Sequence, residues 1–137
     1  MIMNKLYLGI DPGRSKTGLA LVDSVGKIVK LHIAESQNID NEIVEFIKKS
    51  CPVQIVLGNG TNSRNIGEAT QRVLPDVPVA VVEEAHSTEE ARTLYWQENP
   101  PKGLKKLMPL GLLVPPVPLD AYAAVILVRR FLEDNHE

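Results

Sequence analysis

Residues 5–34 read KLYLGIDPGRSKTGLALVDSVGKIVKLHIA, and this stretch decides the fold. Lys5 to Ile10 is strand-like and is stopped by Asp11-Pro12-Gly13. Thr17 to Val22 forms a second strand-like run, and the Asp23-Ser24-Val25-Gly26 turn leads to a third from Lys27 to Ala34. Two connections this short join consecutive strands only as an antiparallel meander.

Downstream the periodicity changes from two to 3.6. Ile39, Ile43, Phe46 and Ile47 share one helical face. Val53 to Leu57 is a short apolar run suited to a strand covered on both sides. Ile66, Ala69 and Val73 repeat the helical spacing, with Asn65 and Glu68 placed as a capping pair, and Val77 to Val82 is another buried strand. Ser87-Thr88-Glu89-Glu90 reads as a capping box that opens a helix carrying Ala91, Leu94 and Tyr95 inward. Asn99 to Pro118 holds six of the ten prolines and reads as a loop or partly ordered lid, not a regular element. A last helix runs from about Leu119 to Glu133, apolar through Ala121 to Val128.

The expected architecture is therefore α/β, a mixed five-stranded sheet with three antiparallel strands and then two parallel ones. Right-handed crossovers put helices on both faces and reverse the strand order between the first and fourth strands. Sites in such sheets form at the carboxyl ends of the strands near that reversal. The absence of repeats or linkers makes residues 1–137 a single expected domain.

Bulk properties narrow the class. No apolar run approaches the ~20 residues of a membrane span, and no signal peptide is read at the N-terminus. The lone Cys51 rules out an internal disulfide, so a cytoplasmic protein is expected. The formal net charge is −2, with 15 Lys and Arg against 17 Asp and Glu. That balance argues against a protein living on phosphate contacts alone, unless cations cluster locally.

Three carboxylates are candidates for chemistry. Asp11 follows the first strand, although Asp-Pro-Gly is also a good turn on its own. Glu83 and Glu84 end the fifth strand, and parity allows only one of them to face the crevice. Asp120 opens the last helix, where the macrodipole alone would favour an acid. Gathered at one end of the sheet, three such charges need a cation, and an oxygen-only set favours Mg²⁺ or Mn²⁺. His32, His86 and His136 show no metal-ligand spacing.

Leu8-Gly9-Ile10-Asp11-Pro12-Gly13 followed by Thr17-Gly18-Leu19-Ala20 resembles the opening hairpin of RuvC-like and YqgF-type nucleases. Val82-Glu83-Glu84 before Ser87-Thr88-Glu89-Glu90-Ala91 resembles that family's D-E-R-x-T-T-x-E-A stretch, and Leu119-Asp120-Ala121-Tyr122-Ala123-Ala124 its last helix start. The resemblance implies a ribonuclease H-like nuclease acting on Holliday junctions or on a 16S ribosomal RNA precursor. It makes Asp11, Glu84 and Asp120 the catalytic and metal-binding residues of a two-metal site. Asp11 would bridge two ions ~4 Å apart, with Glu84 and Asp120 each completing one shell. Ala85 stands where the family has Arg, Gly58-Asn59-Gly60 where it has a G-L-P-like turn, and Val117 where resolvases carry a further Asp.

Arg14, Lys16, Arg64, Lys102, Lys105 and Lys106 are the expected phosphate contacts, the three lysines lying in a segment, 99–118, without a single acid. Trp96 and Tyr95 are candidate base-stacking residues. The partner expected is structured RNA or branched DNA, with no membrane, bound by a monomer or a homodimer. Two rival readings are a catalytically silent nucleic-acid-binding or scaffolding domain of the same fold, and a fragment of an actin-like or sugar-kinase-like ATP-binding protein. The second rival lacks room for the domain that closes over ATP.

Overall fold

The computed structural model describes residues 5–109 and 112–135. Its sheet is built from β1 (Leu6–Asp11), β2 (Lys16–Asp23), β3 (Ile28–Glu35), β4 (Gln54–Gly58) and β5 (Val79–Val82) in the spatial order β3-β2-β1-β4-β5. The first three strands pair antiparallel, while β4 runs parallel to β1 and β5 parallel to β4. The order reverses between β1 and β4, as the crossover argument requires.

Helices cover both faces, and strand parity assigns the sides. Leu8, Ile10, Leu19, Leu21, Ile55 and Leu57 point to the layer of α1 (Ile39–Ile47) and α2 (Ser63–Val73). Their neighbours Ala20, Val22 and Val56 point to the layer of α3 (Ser87–Glu98) and α4 (Asp120–Asp134). In α4 the run Ala123 to Val128 is wholly buried, each large side chain contributing on the order of 2 kcal/mol. A Cβ on Gly18 would collide with the Asp120 carbonyl. The first turn of α4 therefore lies directly on the β1–β2 hairpin, which fixes where Asp120 starts.

Three sequence expectations are corrected. Asn65 does not cap α2: the helix begins at Ser63, after Asn62 in the left-handed region (φ 68°), and Glu68 instead faces Arg64 at 3.5 Å. The Ser87 capping box does not form either. His86 takes the turn at φ 64°, and the Ser87 N–H donates to the Glu84 carbonyl at 2.9 Å, so Ser87 is inside the helix and buried. Both helices are entered by a tight left-handed turn, a conformation that Asn and His tolerate better than most residues. The 99–118 segment, of which residues 110 and 111 lie outside the described residues as does His136, contains a 3-10 turn at Gly103–Leu107. Among the described residues no helix is long and apolar enough to cross a membrane.

Candidate active site at the strand-order reversal

Asp11 shares strand parity with Tyr7, which packs on the α3/α4 layer, and is paired in register with Gly18. Its carboxyl thus emerges on the α4 side of the sheet, at the carboxyl end of β1. The turn that follows is held by a ring of hydrogen bonds. The Gly13 N–H donates to Thr17 Oγ1 at 3.4 Å, Thr17 Oγ1 and Ser36 Oγ are 2.7 Å apart, and Ser36 Oγ donates to the Gly13 carbonyl at 2.8 Å. Each hydroxyl has one proton, so Thr17 must donate to Ser36. Asn62 Nδ2 adds a bond to the same carbonyl at 3.1 Å. The Asp-Pro-Gly turn is thereby tied to β2, to the end of β3 and to the start of α2.

Glu84 is seated by the segment after β4. Its backbone N–H donates to Asn59 Oδ1 at 3.0 Å, and the Asn59 N–H donates to the Val82 carbonyl at 3.1 Å. A Cβ at Gly58 or at Gly60 would collide with the Glu84 carboxylate oxygens. Gly58-Asn59-Gly60 is therefore a seat cut to the Glu84 side chain. Sequence reasoning noted it only as a departure from the family pattern. The available signal was two glycines flanking an amide at the end of a parallel strand beside the reversal.

The two acids of the tandem pair have separate surroundings. Glu83 is exposed and its carbonyl accepts from Arg130 Nη1 at 2.6 Å, while Arg130 also bonds the Ala85 carbonyl at 2.7 Å and the Glu90 carboxylate. Arg130, from α4, thus holds the β5–α3 turn in place although the expected Arg at position 85 is absent. Glu84 turns inward, toward Asp11.

The electrostatics are those of a crowded acid cluster. The Asp11 carboxyl is raised from 3.8 to about 8, first by burial, then by Glu84 as acceptor for its proton, then by the negative charges of Glu84 and Asp120. Burial also raises the Asp120 carboxyl from its ordinary value. Once Asp11 gives up that proton, the buried Glu84 Oε1 has no donor among the described residues. A buried acceptor without a donor is costly, and a cation is the partner that relieves both the acceptor and the repulsion. The donor set is all oxygen, which fits Mg²⁺ or Mn²⁺. Among the described residues no three Asp, Glu, His or Cys side chains stand close enough to form a finished metal cluster. The geometry is that of a tight Asp11–Glu84 pair with Asp120 flanking it.

The cationic candidates are spread over two sides. Arg14 lines a small polar groove with Asn62, Asn65 and Arg72, the last not anticipated from sequence. Lys16 is paired with Glu35, and Arg64 with Glu68 on an exposed face. Lys102, Lys105 and Lys106 are exposed, and Lys102 and Lys105 border a cavity that Trp96 helps to line.

No family model and no curated protein matches the chain. Among solved structures, Thermus thermophilus RuvC in complex with a Holliday junction substrate covers 96% of this chain and 97% of its own at 15% identity, with a TM-score of 0.59. A further Thermus thermophilus RuvC structure covers 94% of each chain at 16% identity, with a TM-score of 0.53. A ROK family transcriptional regulator, homologue of the E. coli MLC protein, covers 66% of this chain and 30% of its own at 16% identity; its TM-score of 0.46 carries no argument. The likeness to RuvC runs along nearly the whole chain and is one of architecture: the fold is ribonuclease H-like, the fold of RuvC.

Proposed function

We propose that the protein is a divalent-metal-dependent nuclease that hydrolyses nucleic-acid phosphodiesters, with Asp11, Glu84 and Asp120 as its acidic machinery and Mg²⁺ or Mn²⁺ as cofactor. The observation that carries the reading is the inward Asp11–Glu84 pair at the strand-order reversal, with its raised Asp11 carboxyl and a buried Glu84 oxygen left without a donor once Asp11 ionises. Structural proteins seldom keep such a pair uncompensated. Bound there, the cation supplies charge stabilisation for the scissile phosphate and acidifies water.

The chain's own part is to hold three carboxylates in place before substrate arrives. Asp11 is held by the hydroxyl ring of its turn, Glu84 by its glycine seat, and Asp120 by the close approach of α4 to Gly18. Arg14 and the lysines at 102, 105 and 106 bind backbone phosphates, a local surface that offsets the net charge of −2. Branched DNA is one substrate class, supported by the RuvC complex with a Holliday junction. Structured RNA, a 16S ribosomal RNA precursor in particular, is the other, supported by the YqgF-type motifs. Both are met in the cytoplasm, and paired cuts at a junction call for a homodimer presenting two sites.

The test is cleavage of single-stranded RNA, single-stranded DNA and a four-way junction with Mg²⁺ or Mn²⁺, wild type beside Asp11→Asn. Metal-dependent cleavage that falls at least about a hundredfold in the variant supports the reading. Cleavage that survives the substitution refutes it, and the preferred substrate separates junction resolution from RNA processing. The second reading, a silent binding domain, draws on the unfinished three-acid cluster. It predicts nucleic-acid binding with no cleavage of any substrate.

A further inference from the structure

A cavity of about 840 Å³ lies away from the acids, between α3 and the Pro-rich segment. Its walls are Trp96, the rings of Pro100, Pro101 and Pro116, and the apolar side chains of Leu104 and Val114. Lys102 and Lys105 stand on its rim, and Glu98 is the one acid there. Among the described residues neither lysine has an ion pair, so their charge faces the cavity mouth uncompensated there. Trp96 is 8% exposed, and among the described residues its buried Nε1–H meets no acceptor.

We infer that this cavity is a nucleotide pocket: it takes one unpaired base against Trp96 while Lys102 and Lys105 hold the flanking phosphates. The inference rests on nucleic acid being the substrate and adds which form of it is bound. The volume matches a site for one small ligand. The walls match a base, flat and apolar with acceptors at its edge, and the rim matches its phosphates. A base stacked and paired within a duplex cannot enter such a cavity, so the occupant is a single-stranded or extruded nucleotide.

The pocket is connected to the acids through rings. Tyr95 packs edge-on against Trp96, with centroids 5.0 Å apart, and edge-on against Tyr122 at 5.4 Å. Tyr122 lies two residues beyond Asp120 on α4. Asn99 fixes the start of the proline stretch by donating to the Tyr95 carbonyl at 3.0 Å and to Tyr122 Oη at 3.3 Å. Prolines at the sides of the pocket limit how far the walls can relax, which favours a preformed site over one made on binding.

Trp96 is the only tryptophan of the chain, so its emission reports on this cavity alone. The whole protein, in EDTA, is titrated with a short oligothymidylate and with an abasic oligomer of equal length and charge, following both Trp96 emission and the anisotropy of a labelled strand. The expected result is a saturable emission change with the thymidylate, none with the abasic strand, and a preference for the thymidylate of roughly five- to a hundredfold. The Lys102→Ala/Lys105→Ala variant weakens both strands alike and lowers the salt slope by about 1–2. Trp96→Phe keeps an aromatic wall, and there the preference for a base shrinks.

Equal affinity for the two strands, or thymidylate binding that leaves Trp96 emission unchanged, overturns the pocket. So does an emission change produced by a proline-rich peptide and not by thymidylate. Cleavage needs neither readout, which keeps the two readings apart. Cleavage lost in Asp11→Asn, with base preference absent, removes the pocket alone. Base-dependent quenching without any cleavage leaves the pocket and removes the nuclease.

Discussion

The seat of Glu84 and the Pro-rich wall of the nucleotide pocket are both made of irregular chain, yet they are built on opposite plans. Gly58-Asn59-Gly60 carries the end of β4 toward α2, is bonded to the end of β5 through Asn59, and leaves no room for a Cβ beside the oxygens it positions. The 99–118 segment hangs from Asn99 and from the start of α4, and it turns large apolar side chains outward, Leu104 at 85% and Leu107 at 83% exposure. Chemistry with a cation needs carboxylates held to fractions of an ångström. A surface that receives a flexible strand needs only the right mixture of cations, apolar walls and stiffness. The difference teaches which substitutions each region should tolerate.

The largest effect is expected where backbone meets carboxylate. Gly60→Ala puts a methyl group into the Glu84 carboxylate, the far end of a side chain whose backbone N–H is held by Asn59 but whose carboxylate is free to swing aside. Because the carboxylate can move, the stability cost stays at or below the low end of overpacking, about 1 kcal/mol. The methyl group should also push Glu84 away from Asp11, so cleavage falls far more than stability does. Thermal unfolding and single-turnover cleavage of this variant check the two parts. Wild-type activity in Gly60→Ala would mean that the seat is not needed and that Glu84 is not a working group.

This contrast also explains what could be read from the sequence. The five strands, their mixed pairing and the helices on both faces were legible because burial imposes periods of two and 3.6, and Leu8, Ile10, Ile43 and Phe46 obey them. Asp11, Glu84 and Asp120 were legible as a set because topology brings the ends of β1, β5 and the start of α4 together. The choice of Glu84 over Glu83 was not, since an all-apolar β5 does not show which of its faces is inner. Nor were the left-handed turns at Asn62 and His86, whose neighbours Asn65 and Ser87 imitate capping residues. Those turns are set by the tight exit from a strand into a helix, a tertiary constraint that no local pattern records. The Arg130 clamp on the β5–α3 turn spans 45 residues of sequence at its Ala85 contact and was invisible for the same reason.

A second, smaller effect should appear in stability against pH. The Asp11 carboxyl has its folded value near 8 and an ordinary value of 3.8. Between these the folded state holds a proton that the unfolded chain has released, so stability falls as pH rises through the window and the penalty is complete above about 8. Asp11→Asn has no such proton to lose. Measured by thermal unfolding in EDTA, the variant should match the wild type near pH 4 and exceed it by several degrees at pH 9. Mg²⁺ or Mn²⁺ should raise the wild type at the higher pH and leave the variant almost unmoved. Parallel curves for the two proteins would show that burial and neighbouring acids do not burden Asp11, and the case for a cation site would go with them.

The smallest effect on stability is expected in the Pro-rich segment. Leu107 is exposed and does not border the cavity, whereas Leu104 is just as exposed and does. Little apolar area leaves water at either position, so Leu104→Ser and Leu107→Ser should each change stability by less than about 0.5 kcal/mol. They should part company in binding. Leu104→Ser removes a wall of the pocket and should cut the preference for a base over an abasic site severalfold, while Leu107→Ser should leave it as in the wild type. The pair is sensitive because size, chemistry and exposure are matched and only the cavity distinguishes them. If both weaken binding equally, the segment acts as a general apolar surface without a pocket. If either unfolds the protein, the 99–118 segment is as tightly built as the seat of Glu84, and the two plans collapse into one.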